Sequence, residues 1–86
     1  MRHPLHVDKY DGDLESLAKD IANMRYDKVA EFVSHLNRDL YRQSNGDFKL
    51  NRPVLAKRLL LVVNHLRAAS AELQKVWMIC EKYMDD

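Results

Sequence analysis

The chain has 86 residues, which is enough for one small domain that buries only about 60–65% of the surface of its unfolded form. Hydrophobic residues make up 47% of it, with two Gly and two Pro, so the composition excludes a disordered or loop-rich chain. The net charge is +1, so the overall charge does not indicate a nucleic-acid or membrane partner.

Neither a secretory signal nor a membrane span is predicted. The N-terminus lacks a basic segment followed by an apolar run. The longest uninterrupted apolar run covers residues 59–63, which is far shorter than the ~20 residues that cross a bilayer. We therefore expect a cytoplasmic protein with no membrane partner.

The N-terminal part of the chain is predicted to be an arm over residues 1–12, since it carries Pro4 and no helical period. Residues 13–86 form the predicted domain, a helical hairpin whose first helix runs over about residues 13–44. Asp13 or Asp11 can act as the N-cap of this helix, because an Asp side chain accepts a hydrogen bond from a free amide of the first turn.

The apolar pattern of the first helix comes in two phases. The early phase contains Leu14, Leu17, Ile21 and Met24. The later phase contains Ala22, Tyr26, Val29, Val33, Leu36 and Leu40. Extending the early phase would place Lys28 in the core, so the pattern predicts either a four-residue stutter in one continuous helix or a break near Asp27 that starts a separate helix. We expect the continuous helix, because Tyr26 and Lys28 carry no helix-breaking signal.

Asn45 and Gly46 are predicted to end the first helix, because Gly takes the left-handed conformation of a C-terminal cap without steric cost. Residues 47–51 then form a short connection, and Asn51 is the predicted N-cap of the second helix. A short connection between two long helices makes them antiparallel neighbours.

The second helix, over about residues 52–84, is apolar on more than one side. Its main pattern alternates spacings of four and three residues without a break and consists of Leu55, Leu59, Val62, Leu66, Ala69, Leu73, Val76, Cys80 and Tyr83. Such a heptad seam puts its side chains on one stripe of a helix. One flank of the seam carries Ala56, Val63, Ser70, Trp77 and Met84 instead of charged residues. This surplus indicates that the helix touches at least two other helices.

These elements predict an all-α fold, a long antiparallel helical hairpin. Two helices cannot bury this much apolar surface against each other, so we expect two hairpins to pair as a homodimer into a four-helix bundle. One alternative is a monomeric three-helix bundle, which requires the break near Asp27. Another is an apolar face that binds a different protein. All three arrangements hide the same residues.

No catalytic constellation is recognisable, since the sequence has no Gly-rich phosphate loop, no nucleophile motif and only one cysteine, Cys80. We therefore expect a protein that is not an enzyme and that has no cofactor and no metal site. The function predicted first is a protein-interaction or regulatory module that acts through an apolar face of the second helix, because aromatic and Met side chains favour interfaces. The residues predicted to contact a partner are Leu60, Val63, Trp77, Met78 and Met84.

Nucleic-acid binding is the alternative function. Residues 38–58 contain six basic and two acidic residues, with Tyr41 and Phe48 between them. Basic and aromatic side chains together can bind phosphates and stack on bases. The predicted basic patch at this loop end consists of Arg38, Arg42, Lys49, Arg52, Lys57 and Arg58.

Overall fold

The computed structural model describes residues 3–83, and within that range all regular structure is helical. The helices are α1 (Leu14–Ala22), α2 (Tyr26–Lys49) and α3 (Pro53–Cys80), followed by a single 3₁₀ turn at Glu81–Tyr83. The predicted all-α fold is confirmed. Among the described residues, no helix is long and apolar enough to cross a membrane.

Helices α2 and α3 form an antiparallel hairpin whose interface is built from small side chains. Three layers, each seven residues from the next along both helices, make up its centre: Ala30 with Ser70, Asn37 with Val63, and Ser44 with Ala56. All six of these residues are buried. Small side chains let two helix backbones approach closely, so the hairpin is narrow and has little hydrophobic core of its own.

Serine hydroxyls tie the two helices together in the outer layers. Ser44 Oγ donates to the carbonyl of Ala56 at 2.8 Å, and Ser70 Oγ donates to the carbonyl of Ala30 at 3.1 Å. Ser34 Oγ lies 2.8 Å from Ser70 Oγ and acts as the donor, because the proton of Ser70 is already directed at Ala30. The serine hydroxyl groups are thus hydrogen-bonded across the interface between α2 and α3, as buried polar groups generally are in folded proteins.

The prediction that α2 ends at Asn45 and Gly46 is wrong, because the helix continues through Gly46 to Lys49. Asn51 supplies the left-handed residue instead, with φ of 60°. The amide of Asn51 donates to Phe48 O at 3.1 Å and the amide of Arg52 donates to Asp47 O at 2.8 Å, which is the paired bonding of a Schellman motif. Asn51 is therefore the C-terminal stop of α2, and Arg52 takes the N-cap position of α3.

The predicted continuous first helix is also wrong, since the chain turns at residues 23–25 between α1 and α2. Arg25 is extended there, with ψ of 143°, and its guanidinium donates to both carboxylate oxygens of Asp27 at 2.7 and 2.9 Å. These hydrogen bonds lower the pKa of Asp27. The break removes the need to bury Lys28. Asp27 lies in the first turn of α2 and is not its cap.

Helix α1 is held by local bonds more than by packing. The carboxylate of Asp13, its predicted N-cap, accepts from the amide of Ser16 at 2.8 Å. The hydroxyl of Tyr10 in the arm donates to Asp20 at 2.7 Å, and this bond raises the pKa of Tyr10. α1 approaches α2 over a short stretch and does not come close to α3. The described part of the chain therefore has three helices, as the alternative with a break near Asp27 requires, and the main contact among them is the one between α2 and α3.

Candidate functional site

The two apolar seams predicted from the sequence lie on the same side of the hairpin. On each helix, the residues one position before and three positions after a layer residue project to one side. In an antiparallel pair of right-handed helices, these two sides coincide. The apolar residues at these positions, together with Val76 one turn further along α3, form the apolar face: Val29, Val33, Leu36 and Leu40 on α2 with Leu55, Leu59, Val62, Leu66, Ala69, Leu73 and Val76 on α3. At the loop end, the same positions of α2 hold the polar residues Gln43 and Asp47.

The apolar face is open. Four of its large side chains, Leu36, Leu55, Val62 and Val76, are more than two-fifths exposed. The others are half-buried or, like Ala69, exposed, and none is fully buried. Isolated globular domains rarely expose contiguous apolar patches of this kind.

The exposed area of the whole chain is large for its mass. It is 7321 Å², whereas a compact monomer of this mass exposes about 5,300 Å². The difference is about 2,000 Å², which lies within the ~1,000–2,500 Å² that each subunit buries in an obligate homodimer. Exposed residues before α1, such as Leu5, and the apolar face both contribute to this excess.

The reverse side of the hairpin is polar. It carries a groove between α2 and α3 with a volume of about 480 Å³. We call it the polar groove, and it is lined by Ser34, Asn37, Arg38, Tyr41, Val63, Arg67, Ser70, Ala71 and Gln74. The two sides of the hairpin therefore differ, because the lining of the groove includes charged and amide side chains such as Arg38, Arg67 and Gln74, whereas the apolar face has none.

A second pocket, of about 790 Å³, lies where the apolar face reaches the connection between α2 and α3. Leu50, Leu55 and Leu59 form its apolar wall, and Asp47 and Arg52 lie at its edge. Arg52 Nη1 is 3.7 Å from the carboxylate of Asp47, so this charged pair borders the apolar face at the loop end.

The structure does not bring the predicted partner-contact residues together. Val63 is only 1% exposed in the middle layer of the hairpin, so it is unavailable to a partner in this conformation. Leu60 and Met78 project toward the polar side. Trp77 is half-buried, with the guanidinium of Arg25 4.9 Å from the ring centroid. Met84 lies outside the described residues.

The predicted basic patch is divided in the structure. Arg42 forms an ion pair with Asp39, and Arg52 pairs with Asp47. Arg38 belongs to the polar groove. Within residues 3–83, no ion pair involves Arg38, Lys49, Lys57 or Arg58. These four side chains project in different directions around the two helices and do not form one continuous surface.

Sequence reasoning missed the polar groove, because its key member, Asn37, is a single polar residue on an otherwise ordinary helical pattern. The signal that could have found it is the small-residue series at seven-residue spacing, Ala30, Asn37 and Ser44, which marks the true contact line of α2. Among the described residues, no group of three or more His, Cys, Asp or Glu side chains is placed to hold a metal ion.

No protein-family model matches the chain, and comparisons with curated proteins and with solved structures found no match. The geometry and chemistry of the apolar face and the polar groove are therefore the basis for assigning a function.

Proposed function

We propose that this protein is a non-enzymatic interaction module whose apolar face binds a second copy of the chain, so that two hairpins form a four-helix bundle. The observation that carries the proposal is the open apolar face, which spans both long helices on one side of the hairpin. Burial of apolar area is the main driving force of such assembly, at about 25 cal/mol per Å².

A second hairpin is the occupant that fits this face best. The face is two helices wide and follows α3 for most of its length, so a single additional helix would cover only part of it. A second copy presents an equal and self-complementary surface through a two-fold axis. The excess exposed area also agrees with what a stable homodimer buries, at about 1,000–2,500 Å² per subunit.

Two neighbouring residues of α3 provide a matched test of this assembly. Val62 lies on the apolar face and is 44% exposed, whereas Leu61 is 49% exposed but projects to the outer side of the helix. A Val62→Glu substitution places two carboxylates in the proposed interface, one from each subunit. Because burial of an unpaired charge is costly, we expect the dimer dissociation constant to rise at least about a hundredfold.

The control variant is Leu61→Glu, which should remain a dimer with the same dissociation constant as the unchanged protein. Both variants should retain most of their helical circular dichroism signal if the hairpin survives. Sedimentation equilibrium measures the dissociation constants. Equal dissociation constants for the two variants would show that the dimer interface does not include the side of α3 that carries Val62.

Helix α1 is the competing occupant of the apolar face within the chain itself. Leu14 of α1 is exposed, as is Met24 in the turn that follows, so a rearranged α1 could cover part of the hairpin. In that arrangement the protein is a monomer at all concentrations, and Val62→Glu lowers its stability without changing its mass.

A nucleic-acid-binding function is the alternative, and the unpaired basic residues at the loop end favour it. Lys57 and Arg58 are consecutive residues of α3, and within residues 3–83 neither forms an ion pair with a carboxylate. The affinity of a nucleic-acid-binding protein should fall steeply as the salt concentration rises. The double variant Lys57→Ala with Arg58→Ala should no longer bind the nucleic acid. A module that acts through the apolar face should tolerate both changes.

A further inference from the structure

The side of the hairpin that carries the apolar face has a polar end and an uncharged end. At the loop end, Gln43 and Asp47 take the face positions of α2, and Arg52 lies next to Asp47 where α3 begins. Asp47 is buried, and its carboxylate is 3.7 Å from Nη1 of Arg52, whose side chain is 48% exposed. The opposite end, which we call the open end, has uncharged residues at the corresponding positions: Tyr26, Val29, Leu73, Val76 and Cys80.

A second copy of the chain can cover this side of the hairpin in two ways. The protein is flat and elongated, measuring 51 × 30 × 14 Å along its principal axes, so it is about one helix thick. A two-fold axis along the helices brings the two loop ends together and gives a parallel dimer. A two-fold axis across the helices sets each loop end against the open end of the second copy and gives an antiparallel dimer. Both arrangements are closed, so the composition of the two ends decides between them.

The antiparallel dimer leaves the charged pair of the loop end without a new partner. Each Asp47 would meet the open end of the second copy, which has no basic residue at a face position. The carboxylate and the guanidinium of Arg52 would lose water and gain no charge of opposite sign. Removing an ion pair from water is unfavourable unless further hydrogen bonds compensate for the lost solvation.

The parallel dimer sets like ends against each other. The uncharged open ends pack together, and the loop ends bring together two Asp47 carboxylates and two Arg52 guanidinium groups. Each carboxylate then lies between the Arg52 of its own chain and the Arg52 of the second copy. Arginine has several N–H donors in a planar fork, so one guanidinium can bond to two carboxylates at once.

The overall charge of the loop end is the argument for the antiparallel dimer. Residues 38–58 contain six basic and two acidic residues, so two adjacent loop ends repel each other. The basic side chains that form no ion pair there, Arg38, Lys49, Lys57 and Arg58, are all exposed and project in different directions. Water and salt screen exposed charges, so their repulsion is weaker than the effect of enclosing the buried Asp47.

We propose that two copies of the chain assemble as a parallel dimer, in which two Asp47 and two Arg52 side chains form one charged cluster that joins the subunits at the loop end. This inference rests on the proposed function, because it requires that the apolar face binds a second copy. The cluster sets the orientation of the dimer. It also favours an identical chain as the partner, since a partner without an arginine at this position leaves Asp47 without its second cation.

The orientation is tested by the distance between two nitroxide labels, measured by electron paramagnetic resonance. Cys80, the only cysteine, is replaced by Ser, and a Met78→Cys substitution carries the label. Met78 is 65% exposed and projects away from the apolar face, so the label does not enter the interface. In the parallel dimer only the width of the bundle separates the labels, roughly 20–30 Å. In the antiparallel dimer the labels lie at opposite ends of the bundle, about 40 Å apart or more.

The charged cluster is tested by mixing two variants. Arg52→Glu gives a homodimer with four acidic side chains in the cluster, and Asp47→Arg gives one with four basic side chains, so both homodimers should be weakened. The mixture should form the heterodimer, in which acidic side chains meet basic ones across the interface. We expect native mass spectrometry to show the heterodimer favoured at least about tenfold over random exchange of subunits.

The matched control for this mixing experiment is a second pair of charge variants, Lys28→Glu and Glu31→Lys. They change an exposed ion pair of α2, with Nζ 3.2 Å from Oε1, that lies outside the apolar face. These two variants should exchange subunits at random, because their charges do not meet across the interface.

The outcomes separate this inference from the proposed function. A monomeric unchanged protein contradicts both. A dimer whose labels are about 40 Å apart or more keeps the proposed function and overturns the parallel orientation. Random exchange between Asp47→Arg and Arg52→Glu overturns the charged cluster. The distance measurement retains Asp47 and Arg52, so it decides the orientation even if a charge variant fails to fold.

Discussion

Replacing Ser44 with Ala tests whether the hydroxyl-to-carbonyl bonds hold α2 and α3 together. Ser44 is fully buried, and its Oγ donates to the carbonyl of Ala56 at 2.8 Å. That carbonyl also accepts the regular α-helical bond from the amide four residues later, so the variant leaves no buried acceptor without a partner. The expected loss in the free energy of unfolding is therefore the net contribution of one neutral hydrogen bond, about 0.5–1.5 kcal/mol.

Thermal unfolding followed by circular dichroism measures this loss. A change of about 1 kcal/mol lowers the unfolding midpoint by roughly 4–8 °C in a domain of this size. Protein concentration must be held constant, because the stability of a dimer depends on it. Asn45→Ala is the matched control, since Asn45 is the exposed neighbour of Ser44 and Ala is the better helix former. An unchanged midpoint in Ser44→Ala, or an equal decrease in Asn45→Ala, would refute the reasoning.

Three further predictions concern the ends and junctions of the helices. Gly46→Ala should raise the free energy of unfolding by about 0.5–1 kcal/mol in urea denaturation, because Gly46 is helical and a Cβ atom there meets nothing within 4 Å; a decrease would show that the left-handed conformation is needed at this position. The Ser16 amide lowers the pKa of Asp13 below its ordinary value of 3.8, so the stabilisation of α1 is present above that value and is lost as the pH falls through the lowered pKa; the protection factors of the α1 amides, which are corrected for the pH dependence of intrinsic exchange, should fall over that range, and should not do so in Asp13→Asn. Arg25→Ala should increase quenching of Trp77 fluorescence by acrylamide, since the guanidinium covers the ring, and unchanged quenching would contradict that arrangement.

The positions of the apolar seams were predictable from the sequence, but it was not predictable that both seams lie on one open side of the hairpin. The spacing of the large apolar residues, such as Leu59, Val62 and Leu66, correctly defined one stripe of α3. A large apolar stripe is the usual line of contact between neighbouring helices, but its spacing does not identify which neighbour it contacts. The hairpin instead packs through Ala, Ser and Asn side chains, which give a weak hydrophobic signal although they permit close approach of the backbones.

The predicted helix boundaries were wrong for a related reason. Gly46 has the strongest propensity for a left-handed C-terminal cap, yet Asn51 takes that conformation because the interface continues through buried Asp47. Packing between helices therefore outweighed the local preference. At residues 23–25, the bidentate bond between Arg25 and Asp27 stabilises a turn that has neither Gly nor Pro. Such a bond depends on the conformation of the turn and leaves no periodic trace in the sequence.

The polar groove could be predicted only in part. Arg38 was identified as a basic residue, but it was assigned to a patch at the loop end. Arg67 was not singled out, because the two arginines lie 29 positions apart in the chain and only the antiparallel register brings them to one groove. The pairing of Asn37 with Val63 likewise follows from this register.

Sedimentation equilibrium of the unchanged protein over a wide range of concentrations is the most direct test of the central claim, that the apolar face binds a second copy of the chain. The account predicts the mass of a dimer, with monomer appearing only on dilution, and little dependence on salt, because apolar burial drives the association. The mass of a monomer at every concentration would contradict it and would assign the apolar face to α1 or to a different protein.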